Sequence, residues 1–285
     1  MSEANLTLKL ADKRNLGYSR FGDSSGRPVL YFHGGISSRL DIAFAADYCK
    51  KNGICIIAPD RPGTGLSDRK SGRSVLDFVD DVRELMDALN IERCPVFGWS
   101  LAGPYVLACA AKEPQRFSAL ATVGGVSPLD SKAAVQALGL QADRLLFTCP
   151  RSWKWLLAAV LNGSSRIPPG ILKYYMEKEV ASAPDRAIVS KLDASDVAGF
   201  VLESLRQGGY GVLDDYQAVA EDWGFTLADV KLPAQIFHGQ EDAVCSLSHA
   251  ERMKNEIKGA VLHLVPGEGH FLLHNHLEAV LATIL

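Results

Sequence analysis

Val96-Phe97-Gly98-Trp99-Ser100-Leu101-Ala102-Gly103 changes character in its middle. Pro95 to Trp99 is a short apolar run of strand type. Leu101 to Ala111 is rich in alanine and leucine, is of helical type and is halted at Pro114. A strand therefore turns directly into a helix, with a serine at the corner. Small residues on either side let strand and helix approach closely, and a strained turn of this kind lifts the serine hydroxyl clear of the sheet edge. The amide of Leu101 opens the helix, has no acceptor upstream within it and is free to donate to a developing oxyanion. The pattern is G-x-S-x-A. Ala102 adds one methyl where the usual G-x-S-x-G has its second glycine, at a position that needs small size. On this reading Ser100 is the candidate nucleophile.

Outward from that corner, strands alternate with helices. Val29 to Phe32 is a continuous apolar run, the signature of a strand covered on both faces, and it ends at His33-Gly34-Gly35. Asp41 to Lys51 reads as a helix stopped by Asn52-Gly53, Ile54 to Ala58 as a strand, and Val75 to Leu89 as an amphipathic helix. Ser118 to Val123 is a further strand. Leu6 to Leu10 and Leu16 to Phe21 alternate with period two around Asp12-Lys13-Arg14-Asn15, which predicts a hairpin. This β-α-β-α order predicts an α/β fold built on a parallel, helix-covered sheet. From residue 127 to about 222 the chain shows helical periodicity and no clear strand, and is broken by Pro128, Pro150, Pro168-Pro169-Gly170 and Pro184. The β-α rhythm then returns, with a strand over 233–237, a helix over 248–257, a strand over 261–265 and a closing helix over 276–285. The division expected is a core of residues 1–126 and 223–285 interrupted by a helical cap at 127–222.

A free serine is a poor nucleophile; it needs a base, and the base needs an orienting acid. The strand ending at Phe237 is followed by His238-Gly239-Gln240-Glu241-Asp242-Ala243-Val244, and the last strand by Pro266-Gly267-Glu268-Gly269-His270-Phe271. Both loops leave the sheet edge on which Ser100 lies, where an open α/β sheet places its ligand site. Asp242 is the expected acid, with Glu241 as its rival, and His270 the expected base. His263 falls within a strand, and His274 and His276 fall in the closing helix, so they read as packing or surface residues. Gly35, with Gly34 next, is expected to supply the second oxyanion amide beside that of Leu101, while His33 holds its loop by hydrogen bonds. Ile36, Trp99, Val244 and Phe271 flank the site and are expected to line a substrate pocket.

The 285 residues are 47% hydrophobic and 22% charged with a formal net charge of −3, an ordinary globular balance. No basic stripe suggests nucleic-acid binding, no run reaches the length of a membrane span, and the N-terminus lacks the apolar region of a signal peptide. The six cysteines form no CxxC pair or zinc-type spacing. They read as buried free thiols in a reducing cytoplasm.

Taken together, His33-Gly34-Gly35, Asp60-Arg61-Pro62-Gly63-Thr64-Gly65-Leu66-Ser67, the Ser100 turn, His238-Gly239-Gln240-Glu241-Asp242 and Gly269-His270-Phe271 resemble the α/β-hydrolase superfamily over almost the whole chain outside the insertion. The resemblance implies an eight-stranded, mostly parallel sheet with a helical cap at the insertion. It also implies that Asp60 and Arg61 are structural. The His-Gly-Gly loop resembles that of proline iminopeptidases, but those read HGGPG where this chain reads HGGIS, which argues against a peptidase. An aspartate at the nucleophile position would suggest an epoxide hydrolase or dehalogenase; Ser100 argues against both. The expected activity is hydrolysis of an ester-type bond of a small, largely apolar acyl substrate through an acyl-enzyme, with no metal or organic cofactor. A ligand-binding or sensing protein on the same scaffold, and a lyase or acyltransferase using the same residues, are the alternatives.

Overall fold

A computed structural model describes residues 3–285. Its eight strands are β1 (Glu3–Lys9), β2 (Asn15–Gly22), β3 (Arg27–Phe32), β4 (Ile54–Pro59), β5 (Cys94–Trp99), β6 (Phe117–Val123), β7 (Ala234–Gly239) and β8 (Val261–Val265). They form one sheet in the order β1-β2-β4-β3-β5-β6-β7-β8. The β1/β2 and β2/β4 pairs are antiparallel, and every pair from β4 onward is parallel. The hairpin read in the first twenty residues is the β1/β2 pair. Leu30 pairs with Val96 and Phe97 with Ala121, so the ends of β3, β5 and β6 lie side by side on one edge.

Helices cover both faces. α1 (Ala46–Lys51), α2 (Val75–Ala88) and α3 (Gly103–Lys112) follow the early strands. Between β6 and β7 lie α4 (Lys132–Gln136), α5 (Gln141–Thr148), α6 (Lys154–Ser164), α7 (Pro169–Glu179), α8 (Ala183–Lys191), α9 (Ala194–Ser204) and α10 (Gly209–Ala220). Last come α11 (Leu247–Glu256) and α12 (Leu273–Ile284). Phe78 of α2, Tyr105 of α3 and Met253 of α11 bury against one sheet face; Cys49 of α1 and Leu277 and Val280 of α12 bury against the other. Burying each such side chain contributes about 1.5–3 kcal/mol, and the fully buried pattern of β4 reflects cover from both sides. The insertion is helical as its periodicity suggests, apart from one isolated antiparallel bridge, Leu138 to Cys245.

Several boundaries move. The helix expected from Asp41 begins at Ala46, after a short 3₁₀ turn at Ala43–Ala45, because the Asp41 carboxylate is occupied by the Gly34 amide and the Ser37 hydroxyl. The turn after Trp99 opens as 3₁₀ over Ser100–Ala102 before α3 begins. α12 starts at Leu273, three residues before the expected start, and is kinked at His276, where φ is −121°. Five cysteines are buried as read, whereas Cys149 is only half-buried, at the end of α5; all six are unbridged. Among the described residues, no helix is long and apolar enough to cross a membrane.

Candidate active site

Ser100 sits where β5 ends, with φ +58°. A left-handed conformation for a non-glycine residue costs on the order of 1–3 kcal/mol and persists only where the surroundings impose it. Here they do. Gly98 has no room for a side chain: a methyl on it would lie 2.6 Å from the Ala102 methyl and 2.8 Å from Val106. The departure from G-x-S-x-G is thus accommodated by the bare Gly98 on the facing strand. The half-buried Ser100 faces a cavity of about 350 Å³ that His270 also lines.

His270 Nδ1 lies 2.8 Å from Asp242 Oδ2, and both side chains are buried, in the loops that follow the neighbouring strands β7 and β8. Asp242 Oδ1 accepts the amides of Val244 and Cys245, each at 2.8 Å, which fixes the carboxylate. Gly124, at φ +56°, lies beneath the pair; a methyl there would sit 3.0 Å from His270 Nδ1. Burial pushes the imidazole toward its neutral form, but the charge and hydrogen bond of Asp242, with Asp185 and Asp143 further out, outweigh it and hold the His270 pKa above its ordinary value. Burial likewise raises Asp242, but the same histidine outweighs that and holds it below the usual carboxylate range. The rival Glu241 is exposed. His263 bonds Gln235 within the sheet, His274 stacks on Phe44, and His276 bonds Glu268.

The His-Gly-Gly loop is held from behind. Arg61 donates to the carbonyls of His33 (2.5 Å) and Gly34 (2.7 Å), and His33 Nε2 accepts the Arg61 amide. A trans peptide points its N–H opposite its carbonyl, so with the Gly34 carbonyl on Arg61 the Gly35 amide is directed away from the guanidinium. Gly35 also leaves space for another group: a methyl on it would lie 2.5 Å from Tyr216 Oη. The next residue, Ile36, has φ +44°, a strained value for a β-branched side chain. With Gly35 read as an oxyanion donor, Gly35→Ala is expected to lower kcat by about 10²-fold and, because its methyl meets the buried Tyr216 hydroxyl, to lower the melting temperature by a few degrees. A wild-type kcat would show that this loop does not serve the reaction.

The expected pocket residues Ile36, Trp99, Val244 and Phe271 all line the cavity, together with Gly35. Leu101 is buried just behind Ser100. Asp143 of α5, which no sequence motif marks, lines the cavity and accepts the Tyr216 hydroxyl at 2.7 Å. Burial holds the Asp143 carboxyl above the usual range, partly offset by that bond and by His270. Equally unmarked in the sequence are Asp185 of α8, which accepts the His270 amide, and Asp215 of α10, which pairs with Arg61. These three acids lie on helices of the insertion, where periodicity marks a face but not the partner that a polar residue meets.

Known proteins repeat this architecture. The sequence model of a family described as "alpha/beta hydrolase fold" matches residues 27–277. An uncharacterized hydrolase, YcgS, of Bacillus subtilis is 30% identical over 92% of this chain and 90% of its own. A proline iminopeptidase of Xylella fastidiosa is 26% identical over 92% of this chain and 89% of its own. Among solved structures, an esterase from Exiguobacterium antarcticum superposes with a TM-score of 0.69 at 19% identity, covering 98% of this chain and 97% of that one. The chain belongs to the alpha/beta hydrolase fold family.

Proposed function

We propose that this protein is a serine hydrolase that cleaves an ester-type bond of a small, largely apolar acyl substrate. The observation that carries the reading is one cavity lined by both a strained, outward-turned Ser100 and a His270 bonded to Asp242. His270 takes the Ser100 proton as Ser100 Oγ attacks the acyl carbonyl, and the amides of Leu101 and Gly35 hold the oxyanion. The imidazolium returns the proton to the leaving group. Water activated by His270 then attacks the acyl-enzyme and releases the acid. Residues 127–222 act as a cap over this site, contributing Leu161, Leu172, Met176 and Phe200 to its wall. Such a wall fits an apolar acyl group, and the esterase with the same fold fits the same chemistry.

The charged groups among the cavity's lining residues are Asp143, Glu179 and His270, with no lysine or arginine. Esters with a carboxylate on the acyl chain are therefore expected to show kcat/KM about tenfold below that of uncharged isosteres, through like-charge repulsion in a poorly hydrated site. Asp143→Asn is expected to narrow the difference; an equal preference in wild type would contradict this. The experiment for the reading as a whole is a turnover screen of esters of graded acyl length, with an N-terminal prolyl amide included and Ser100→Ala as control. Turnover of esters supports it. Turnover of the prolyl amide alone would favour the peptidase activity named for the Xylella relative. Saturable binding without turnover would favour a sensing role.

A further inference from the structure

Asp185 lies in the first turn of α8, in the insertion and outside the strands that present Ser100, Asp242 and His270. Its side chain is fully buried. Burying a carboxylate without a countercation is costly, and the groups that bond this one are hydrogen-bond donors rather than cations. Oδ2 accepts the His270 amide at 2.9 Å and the Ser182 hydroxyl at 2.6 Å, and Oδ1 accepts the Phe271 amide at 2.7 Å. Gly269 completes the arrangement: a methyl on it would collide with the Asp185 carboxylate. On the other side, Trp99 Nε1 donates to the His270 carbonyl at 2.9 Å. The backbone of His270 is therefore gripped at its N–H by the insertion and at its C=O by the residue preceding Ser100.

We propose that Asp185 is a positioning residue for His270, so that the helical insertion holds the candidate base in place as well as covering the cavity. The proposal rests on reading His270 as the base. Two fixed amide bonds hold the backbone from which the imidazole reaches Asp242 with Nδ1 at 2.8 Å, a contribution to the preorganisation that catalysis by a base requires. The carboxylate also acts through its charge. The charged or titratable groups around the His270 ring are Asp242, bonded to it, Asp185 on α8 and Asp143 on α5, with His238 behind Asp242 (Nε2 3.9 Å from Asp242 Oδ2) and Glu179 of α7 on the same cavity wall. Trp99 and Phe271 present uncharged rings. Asp185 thus adds to Asp242 in favouring the imidazolium, and removing its charge moves the His270 titration to lower pH.

The test is Asp185→Asn, close to isosteric. The His270 imidazole is titrated by NMR in substrate-free protein, and the pH profile of kcat/KM is followed on an uncharged ester. The expected results are a His270 titration at lower pH than in wild type, an acid limb displaced the same way, and kcat reduced by about 10²-fold with KM little changed. A folded variant that titrates and turns over like wild type would reduce Asp185 to a loop anchor and overturn the proposal. If Asp185→Asn does not fold, Gly269→Ala decides. Its methyl displaces the carboxylate from the His270 amide, so kcat must fall at constant KM, and a wild-type kcat overturns the proposal. The titration needs no substrate. A shifted titration in a protein that hydrolyses nothing would remove the hydrolase reading and leave the grip on His270 standing; turnover with an unshifted titration would do the reverse.

Discussion

Ser100→Ala is expected to lower kcat/KM for a small ester by about 10⁶-fold, close to the loss of the whole catalytic set. The size follows from the division of labour. Without Oγ no acyl-enzyme forms, and His270 and the two amides can only polarise a carbonyl for direct attack by water. The backbone at residue 100 is held by its surroundings, with Gly98 packed under Ala102 and the Val126 amide on the Ser100 carbonyl. The variant is therefore expected to melt within a few degrees of wild type. Residual turnover above about one per cent would place the nucleophile elsewhere.

Asp215→Ala is expected to be the most destabilising single change, by about 3–5 kcal/mol, the range for removing one partner of a buried ion pair. Asp215 accepts Arg61 Nε (2.8 and 3.0 Å), Arg73 Nη2 (2.6 Å) and the Tyr105 hydroxyl (2.6 Å). All four side chains are buried. Burial raises the carboxyl, but the two guanidiniums outweigh it and hold it far below the usual range. Alanine leaves both cations buried with their common anion gone. The effect also reaches the site, because Arg61 holds the His33 and Gly34 carbonyls and so the Gly35 amide. Urea unfolding of wild type and variant measures the loss, and a change below 1 kcal/mol would mean that the network is dispensable. In a folded fraction, kcat is expected to fall as well.

The core of this molecule was legible because its signals are local. Apolar runs bounded by glycine and proline marked β3 to β8, and the Ser100 turn, the loop of Asp242 and the loop of His270 each follow one of those strands. Parallel pairing then brings the three loops to one edge. The insertion was legible only as helix. Nothing local in the sequence singles out Asp143, Asp185 or Asp215, and in the structure Asp185 also sits behind the Ser182 cap of α8, whose hydroxyl accepts its amide. That its carboxylate continues to the His270 amide is a tertiary fact with no local signature. The Asp60-Arg61 turn was readable as structural, but not its partner 154 residues away. The start of α12 was misplaced for a related reason: Leu272, at its N-cap, makes no side-chain cap, so nothing in the sequence marks the boundary.

The central claim is that Ser100 is a nucleophile activated by His270. Its most direct measurement is covalent labelling of the intact protein by a fluorophosphonate, with the adduct located by peptide mass spectrometry. One adduct is expected, on Ser100, absent in Ser100→Ala and formed far more slowly in His270→Ala. An adduct at another residue, or equal labelling of wild type and Ser100→Ala, would contradict it.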